Sequence, residues 1–198
     1  METKEGELVS VENLEKNILD TTFNQFLSQG LDFTMNDIAQ TLHIAKKTIY
    51  RFYDSKQNLL IALLDHAFAD IQKEKQNILA SDKPIAKRLE EAMIAMPKKY
   101  AKIDFGIVVK VKDTYPLVYK RLNEHLENNW EPIIELINEG IRKKEFRKIN
   151  PYILREIVTA SFEQFLYQSN LDAMHITYAK ALKDMMSILM KGIAYDNA

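Results

Sequence analysis

The sequence predicts an all-α chain: an N-terminal three-helix head followed by a larger helical domain, about nine helices in all. Three observations carry this. Five Gly and five Pro in 198 residues are few for a many-turned β fold. Apolar residues recur near every 3.6 positions along most of the chain. Residues 34–56, TMNDIAQTLHIAKKTIYRFYDSK, read as a helix, a tight turn, a second helix and the start of a third.

Residues 11–29 form the first predicted helix. Leu14, Ile18, Leu19, Thr22, Phe23, Phe26 and Leu27 repeat at helical spacing, and Gly30 stands at the usual C′ position. Thr34 can cap the next helix, with Asp37 completing the capping pattern three residues on. Ile38, Ala39 and Leu42 give that helix a narrow apolar stripe. It must stop at Leu42 and His43, and His is one of the few side chains enriched at positive φ. A helix over residues 45–52 then turns Ile49 inward and Lys46, Lys47, Thr48, Tyr50 and Arg51 mostly outward. Two helices across a short turn, the second showing basic and hydroxyl groups, suit the DNA major groove. Ala45 is a poor N-cap, so the second helix starts without a sharp signal. Asp54 and Ser55 are good caps for a fourth helix running to about residue 80, a rod of about 39 Å.

The run IAQTLHIAKKTIYRFYDSKQNLL, residues 38–60, closely resembles the DNA-binding signature of the TetR family of bacterial repressors, and the likeness covers about residues 18–64. TIYRFYDSK is its most specific part. Relatives usually carry Gly at the position of His43, Ser at Ala45 and often Gly at Lys47, so the preferred operator should differ from theirs. The resemblance implies a DNA-binding domain over residues 1–55 and a ligand-binding and dimerisation domain over residues 56–198; residues 1–9, acidic where relatives carry a basic arm, are expected to be mobile. It implies roles as well. Thr34 and Asn36 meet phosphate or the groove rim. Lys46, Lys47 and Thr48 reach base edges or nearby phosphate. Tyr50 and Arg51 anchor the DNA backbone, and Lys56 holds phosphate.

Charge agrees with that placement. The net charge is -1, but residues 1–42 carry only Lys4 and Lys16 against eight acids. Residues 43–56 carry Lys46, Lys47, Arg51 and Lys56 against Asp54 alone. Positive charge is therefore concentrated where the groove-facing helix is expected. The chain has no cysteine, which excludes disulfides and thiolate metal sites. Its acidic, polar start is unlike a signal peptide, and no apolar run approaches the ~20 residues of a membrane span, so a cytoplasmic location is expected.

Further along, Pro84 suits the first turn of a helix carrying Ile85, Leu89, Ala92, Met93 and Met96, which Pro97 ends or kinks. Residues 100–112 are expected to form a short apolar helix. A long one should follow from residue 114 to 141, bent at Pro132. The basic run 141–148 complements a helix C-terminus. Asn150 and Pro151 open a helix to about residue 169, and Asp172 precedes the last, over residues 173–193. Both have apolar belts wider than one core face needs, which suggests a self-complementary surface. The candidate interface is Ile157, Ser161, Phe165, Tyr178, Leu182, Met185 and Leu189. In relatives the last two long helices pair across a two-fold axis.

Catalytic patterns are absent: there is no G-x-S-x-G, Walker loop or H-E-x-x-H, and no enzyme activity, metal or cofactor is expected. Asp172 and His175 are three apart but lack the further acids of a bundle metal site. A pocket for an apolar or planar aromatic effector is expected among Met93, Met96, Tyr100, Phe105, Tyr119, Trp130, Phe162 and Phe165, which the resemblance groups around one cavity. Two functions fit: a ligand-released, homodimeric repressor on a near-palindromic operator, or a helical ligand-binding or protein-interaction module whose head no longer reads DNA.

Overall fold

The computed structural model describes residues 2–103, 106–167, 171 and 173–193, with the main chain alone for residues 2–10, 12, 101, 102 and 167. Among them are ten α-helices, one 3-10 helix and no strand. The chain divides into two compact units. One holds the chain up to Ala67 together with Lys110–Arg121, and the other holds Phe68–Val109 and the chain from Leu122 onward.

The first unit opens with α1 (Glu2–Gln29), which begins nine residues ahead of the expected start. Gly30 ends it at φ 62°, its N–H reaching Phe26 O at 2.8 Å. The short helices α2 (Met35–Thr41) and α3 (Lys46–Tyr50) follow, then the first half of α4 (Lys56–Leu79). Their core is Ile18, Leu19, Phe33, Met35, Ile38, Ala39, Ile49, Tyr53, Leu59 and Leu60. Thr22 is also buried, and its hydroxyl is satisfied by Ile18 O at 2.7 Å. Val111 of α6 (Ile107–Thr114) and Val118 of α7 (Pro116–Glu127) complete the same cluster. The head core therefore draws on a segment about fifty residues beyond the motif.

In the second unit, α5 (Ile85–Met93) packs on α8 (Glu131–Arg142) and on α10 (Tyr178–Ile193), and α9 (Pro151–Tyr167) packs on α8 and α10. Ile85, Leu89, Ile133, Ile137, Leu154, Val158 and Met186 lie at the centre.

Three expectations about helix limits are corrected. The helix expected over residues 100–112 is a 3-10 helix, Lys98–Lys102, followed separately by α6. The long helix with a bend at Pro132 is two helices, α7 and α8. Asn129 adopts φ 64°, which ends α7, and Pro132 sits in the first turn of α8, where its missing N–H costs no hydrogen bond. The last helix starts at Tyr178 rather than 173, because His175 turns left-handed at φ 55° and Thr177 Oγ1 accepts the Lys180 N–H at 3.2 Å. Asp172 and the expected end of α9 at 169 lie outside the described residues.

The basic run is spent on helix ends. Arg142 stands in the last turn of α8, and Arg147 caps α10 with its N–H on Ile193 O at 3.0 Å and Nε on Gly192 O at 2.5 Å. Inside this bend, buried Phe146 lies on Gly140 so closely that a Cβ there would meet the ring at 2.2 Å.

Gly to Ala within a helix ordinarily gains ~0.5–1 kcal/mol. Here overlap with a ring that has no room to retreat wins, and Gly140→Ala should destabilise by ~1–3 kcal/mol in urea unfolding. In a Phe146→Ala background the same change should become neutral or stabilising. A stabilising Gly140→Ala in the otherwise unaltered chain would contradict this packing.

Candidate nucleic-acid interface

The N-terminus of α2 is built as a capping box. Thr34 N–H donates to Asp37 Oδ2 at 2.7 Å, and Thr34 Oγ1 accepts the Asp37 N–H at 3.3 Å. The far end closes through a left-handed residue. His43 stands at φ 54°, its N–H on Gln40 O at 3.2 Å, and the Ile44 N–H returns to Ala39 O at 3.0 Å. These two bonds form a Schellman turn with His in the place of Gly. Ala45 then enters α3 from extended backbone at φ -71°, ψ 139°, with no side-chain cap.

Side-chain bonds join these helices to α1. Gln25 Nε2 donates to Thr41 Oγ1 at 3.1 Å, and Thr41 Oγ1 donates to Asp37 O at 2.8 Å. Tyr53, just past α3, is buried and donates to Glu15 Oε1 at 3.1 Å. Burial, with the Glu15 charge second, raises the Tyr53 phenol well above its ordinary value.

On α3, Ile49 is fully buried, while Lys46, Lys47, Tyr50 and Arg51 are exposed and Thr48 is half-buried. Lys46 Nζ lies 5.7 Å from the centre of the Tyr50 ring, one turn on. Among the described residues, no carboxylate pairs with Lys46, Lys47 or Arg51. Thr34 and Asn36 are exposed at the start of α2. The structure thus brings five of the eight expected DNA-facing residues onto α2 and α3 and two more, Thr34 and Arg51, onto their caps. Lys56 is placed differently. Its Nζ donates to the main-chain carbonyls of Leu31 and Phe33, and lies 4.2 Å from the centre of the Phe33 ring. Desolvation lowers its pKa despite the nearby Asp32 and Asp37. No sequence pattern signalled this inward turn, which depends on the path of residues 31–33.

The expected pocket residues do not all share one unit. Met93 and Trp130 are buried in the second unit, with Phe162 and Phe165 packed on its core and Met96 half-buried. Tyr100 is buried there too, its hydroxyl on Asp70 Oδ2 at 2.6 Å. Tyr119 packs in the core of the first unit, and Phe105 lies outside the described residues.

The expected interface residues divide similarly. Leu182 and Met185 are buried in their own unit, because the inner stripe of α10 faces α5 and α9. Tyr178, Phe165 and Leu189 pack partly against that core, and Ser161 is half-buried with its hydroxyl on Ile157 O at 2.7 Å. Ile157 is exposed, as are Tyr152, Ile153 and Ile188, which lie outside the expected set. Their signal was present: Ile153 and Ile157 are one helical turn apart on an over-apolar helix.

Residues 18–63 match the family model described as bacterial regulatory proteins, tetR family. The chain is 25% identical to the helix-turn-helix transcriptional regulator YvaF of Bacillus subtilis (strain 168) over 185 residues, 92% of this chain and 97% of that one. Its fold matches a TetR transcription regulator from Haloarcula marismortui, with TM-score 0.72 at 15% identity, over 92% and 99% of the two chains. It also matches the regulator FadR from Bacillus subtilis, solved with stearoyl-CoA, with TM-score 0.62 at 15% identity, over 88% and 96%. Among the described residues no helix is long and apolar enough to cross a membrane.

Two outcomes follow from this local structure. Ala45→Ser supplies the missing cap of α3 and should raise stability by ~0.5–1 kcal/mol in chemical unfolding. Because the folded-state pKa of Tyr53 is raised, its contribution is intact below about pH 10 and lost as pH climbs past it. Between pH 9 and 11, Tyr53→Phe should therefore lose less stability than the unaltered chain; equal losses would refute the burial argument.

Proposed function

We infer that this chain, which belongs to the TetR family of helix-turn-helix transcriptional regulators, is a cytoplasmic, homodimeric repressor released from its operator by a small-molecule effector. The observation that carries the DNA-binding part is the exposed set Lys46, Lys47 and Tyr50 on a five-residue helix anchored by buried Ile49, with exposed Arg51 at its C-cap. Each protomer sets α3 into a major groove. Two-fold symmetry then demands a near-palindromic operator with half-sites about 34–36 Å apart, or a multiple. Residues 1–55 are the DNA-reading domain on this view, and the rest binds ligand and dimerises.

Lys46, Lys47 and Thr48 reach base edges or nearby phosphate. Tyr50 and Arg51 anchor the backbone, with Thr34 and Asn36 at the groove rim. Dimerisation uses the outer faces of α9 and α10. Exposed Ile153 and Ile157, one turn apart on α9, and exposed Ile188 on α10 support this, since exposed large apolar side chains mark contact sites. The effector is apolar or planar aromatic and is held by Met93, Met96, Trp130, Phe162 and Phe165. That FadR of a similar fold is solved with stearoyl-CoA supports a ligand with an apolar part, as its acyl chain is. The effector must shift operator affinity by ~1–3 kcal/mol, about 5–150-fold, to act as a switch. The proposed route runs from the pocket to the head along α4.

The test is selection of duplexes from a random pool by the full-length protein, followed by salt titration of the winner. Three exposed cations per protomer make six per dimer, so log K against log salt should fall with a slope of about -5. Tyr50→Ala should abolish specific binding while the protein stays folded and dimeric. Failure to enrich any duplex would favour the interaction-module reading. Ile157→Glu should yield a folded monomer in sedimentation, whereas Leu182→Ala should cost ~2–5 kcal/mol of stability through its cavity.

A further inference from the structure

The Lys56 ammonium has more than one partner, and the partners come from distant parts of the chain. It donates to the carbonyls of Leu31 and Phe33, in the turn between α1 and α2. Two rings lie near it as well, Phe33 at 4.2 Å and Tyr115 at 5.8 Å from Nζ to ring centre. Phe33 is fully buried, next to Thr34, whose capping box starts α2. Tyr115 is fixed from both directions. Its N–H reaches Val111 O at 2.8 Å, and its carbonyl accepts the Val118 and Tyr119 N–H groups at 2.9 and 3.1 Å. Val111 and Val118 are themselves buried in the head core. Carbonyl oxygens and the faces of aromatic rings all present negative potential, so together they hold an ammonium without a carboxylate contact.

We propose that Lys56 is a positioning residue: its ammonium joins Tyr115 to the turn before α2, so that the 110–121 segment sets how firmly the N-terminus of α2 is held for DNA. The proposal rests on the DNA-binding reading but separates Lys56 from the phosphate contacts. An ammonium already occupied by two carbonyls and two rings acts through the backbone it holds. Thr34 and Asn36, one and three residues beyond Phe33, are the first groups displaced when it lets go. The 110–121 segment thereby gains a short path to the DNA-facing surface, entirely inside the first unit.

The test uses four full-length proteins: unaltered, Lys56→Met, Tyr115→Leu and the double variant. Hydrogen exchange at the Thr34, Asp37 and Ile38 amides reads the coupling without DNA. Lys56→Met should speed exchange roughly tenfold or more, since bonds from a charged donor are lost. Tyr115→Leu should speed it several-fold, and the double variant should be no faster than Lys56→Met alone. Additive effects, or a Tyr115→Leu protein with unchanged exchange at these amides, would overturn the proposal.

Salt titration on a duplex selected by the unaltered protein supplies the second reading. Lys56→Met should bind roughly tenfold or more weakly at an unchanged salt slope. A slope shallower by about two per dimer would place the ammonium on phosphate and refute positioning. Lys56→Gln, which keeps a neutral donor for the carbonyls, serves if the Met variant fails to fold. It should retain part of the amide protection and the full slope. No duplex enriched by the unaltered protein would instead defeat the DNA-binding reading, while the exchange results would still decide the coupling.

Discussion

A helix of five residues cannot hold itself together. Nucleation costs more than its few hydrogen bonds return, and isolated helices shorter than about 12 residues are marginal in water. The helix α3 therefore depends on burial of one side chain, Ile49, and on the turn that delivers it. That turn depends on His43 accepting a left-handed backbone, and on Ala39 and Gln40 offering their carbonyls to it. Lys46, Lys47, Tyr50 and Arg51 point outward because Ile49 points inward. The exposed basic face is a by-product of where the apolar anchor goes.

The rest of the head answers the same need. α1 supplies Ile18, Leu19 and buried Thr22 as the floor, and Gln25 and Glu15 tie it to α2 and to Tyr53. The fourth helix adds Leu59 and Leu60, and the later segment adds Val111 and Val118. Small three-helix units bury little surface, so borrowing two valines from beyond residue 109 enlarges a core that would otherwise be marginal.

The head was readable in the sequence because its determinants are local. Thr34, Asp37, Leu42, His43 and Ile49 each act on partners within a few residues, and each stands where expected. What stayed hidden depends on long-range geometry. The inward path of Lys56 required knowing where Leu31 and Phe33 carbonyls lie. Apolar spacing continues through the Asn129 break between α7 and α8, so in the sequence Pro132 reads as a bend within one helix. For α9 and α10 the apolar belt was visible, but which side faces the core was not. Leu182 and Met185 turned inward, and Ile153 and Ile188 outward.

The break that separates α7 from α8 also places the only indole in the chain. Trp130 stands just after Asn129, buried, with its Nε1–H on Leu126 O at 3.2 Å, in the second unit. The head contains no tryptophan. Intrinsic fluorescence excited at the indole band is therefore a label that nature has already attached to one half of the molecule. Its emission reports events around the core of the second unit, while anything happening in the first unit stays dark unless it reaches that ring.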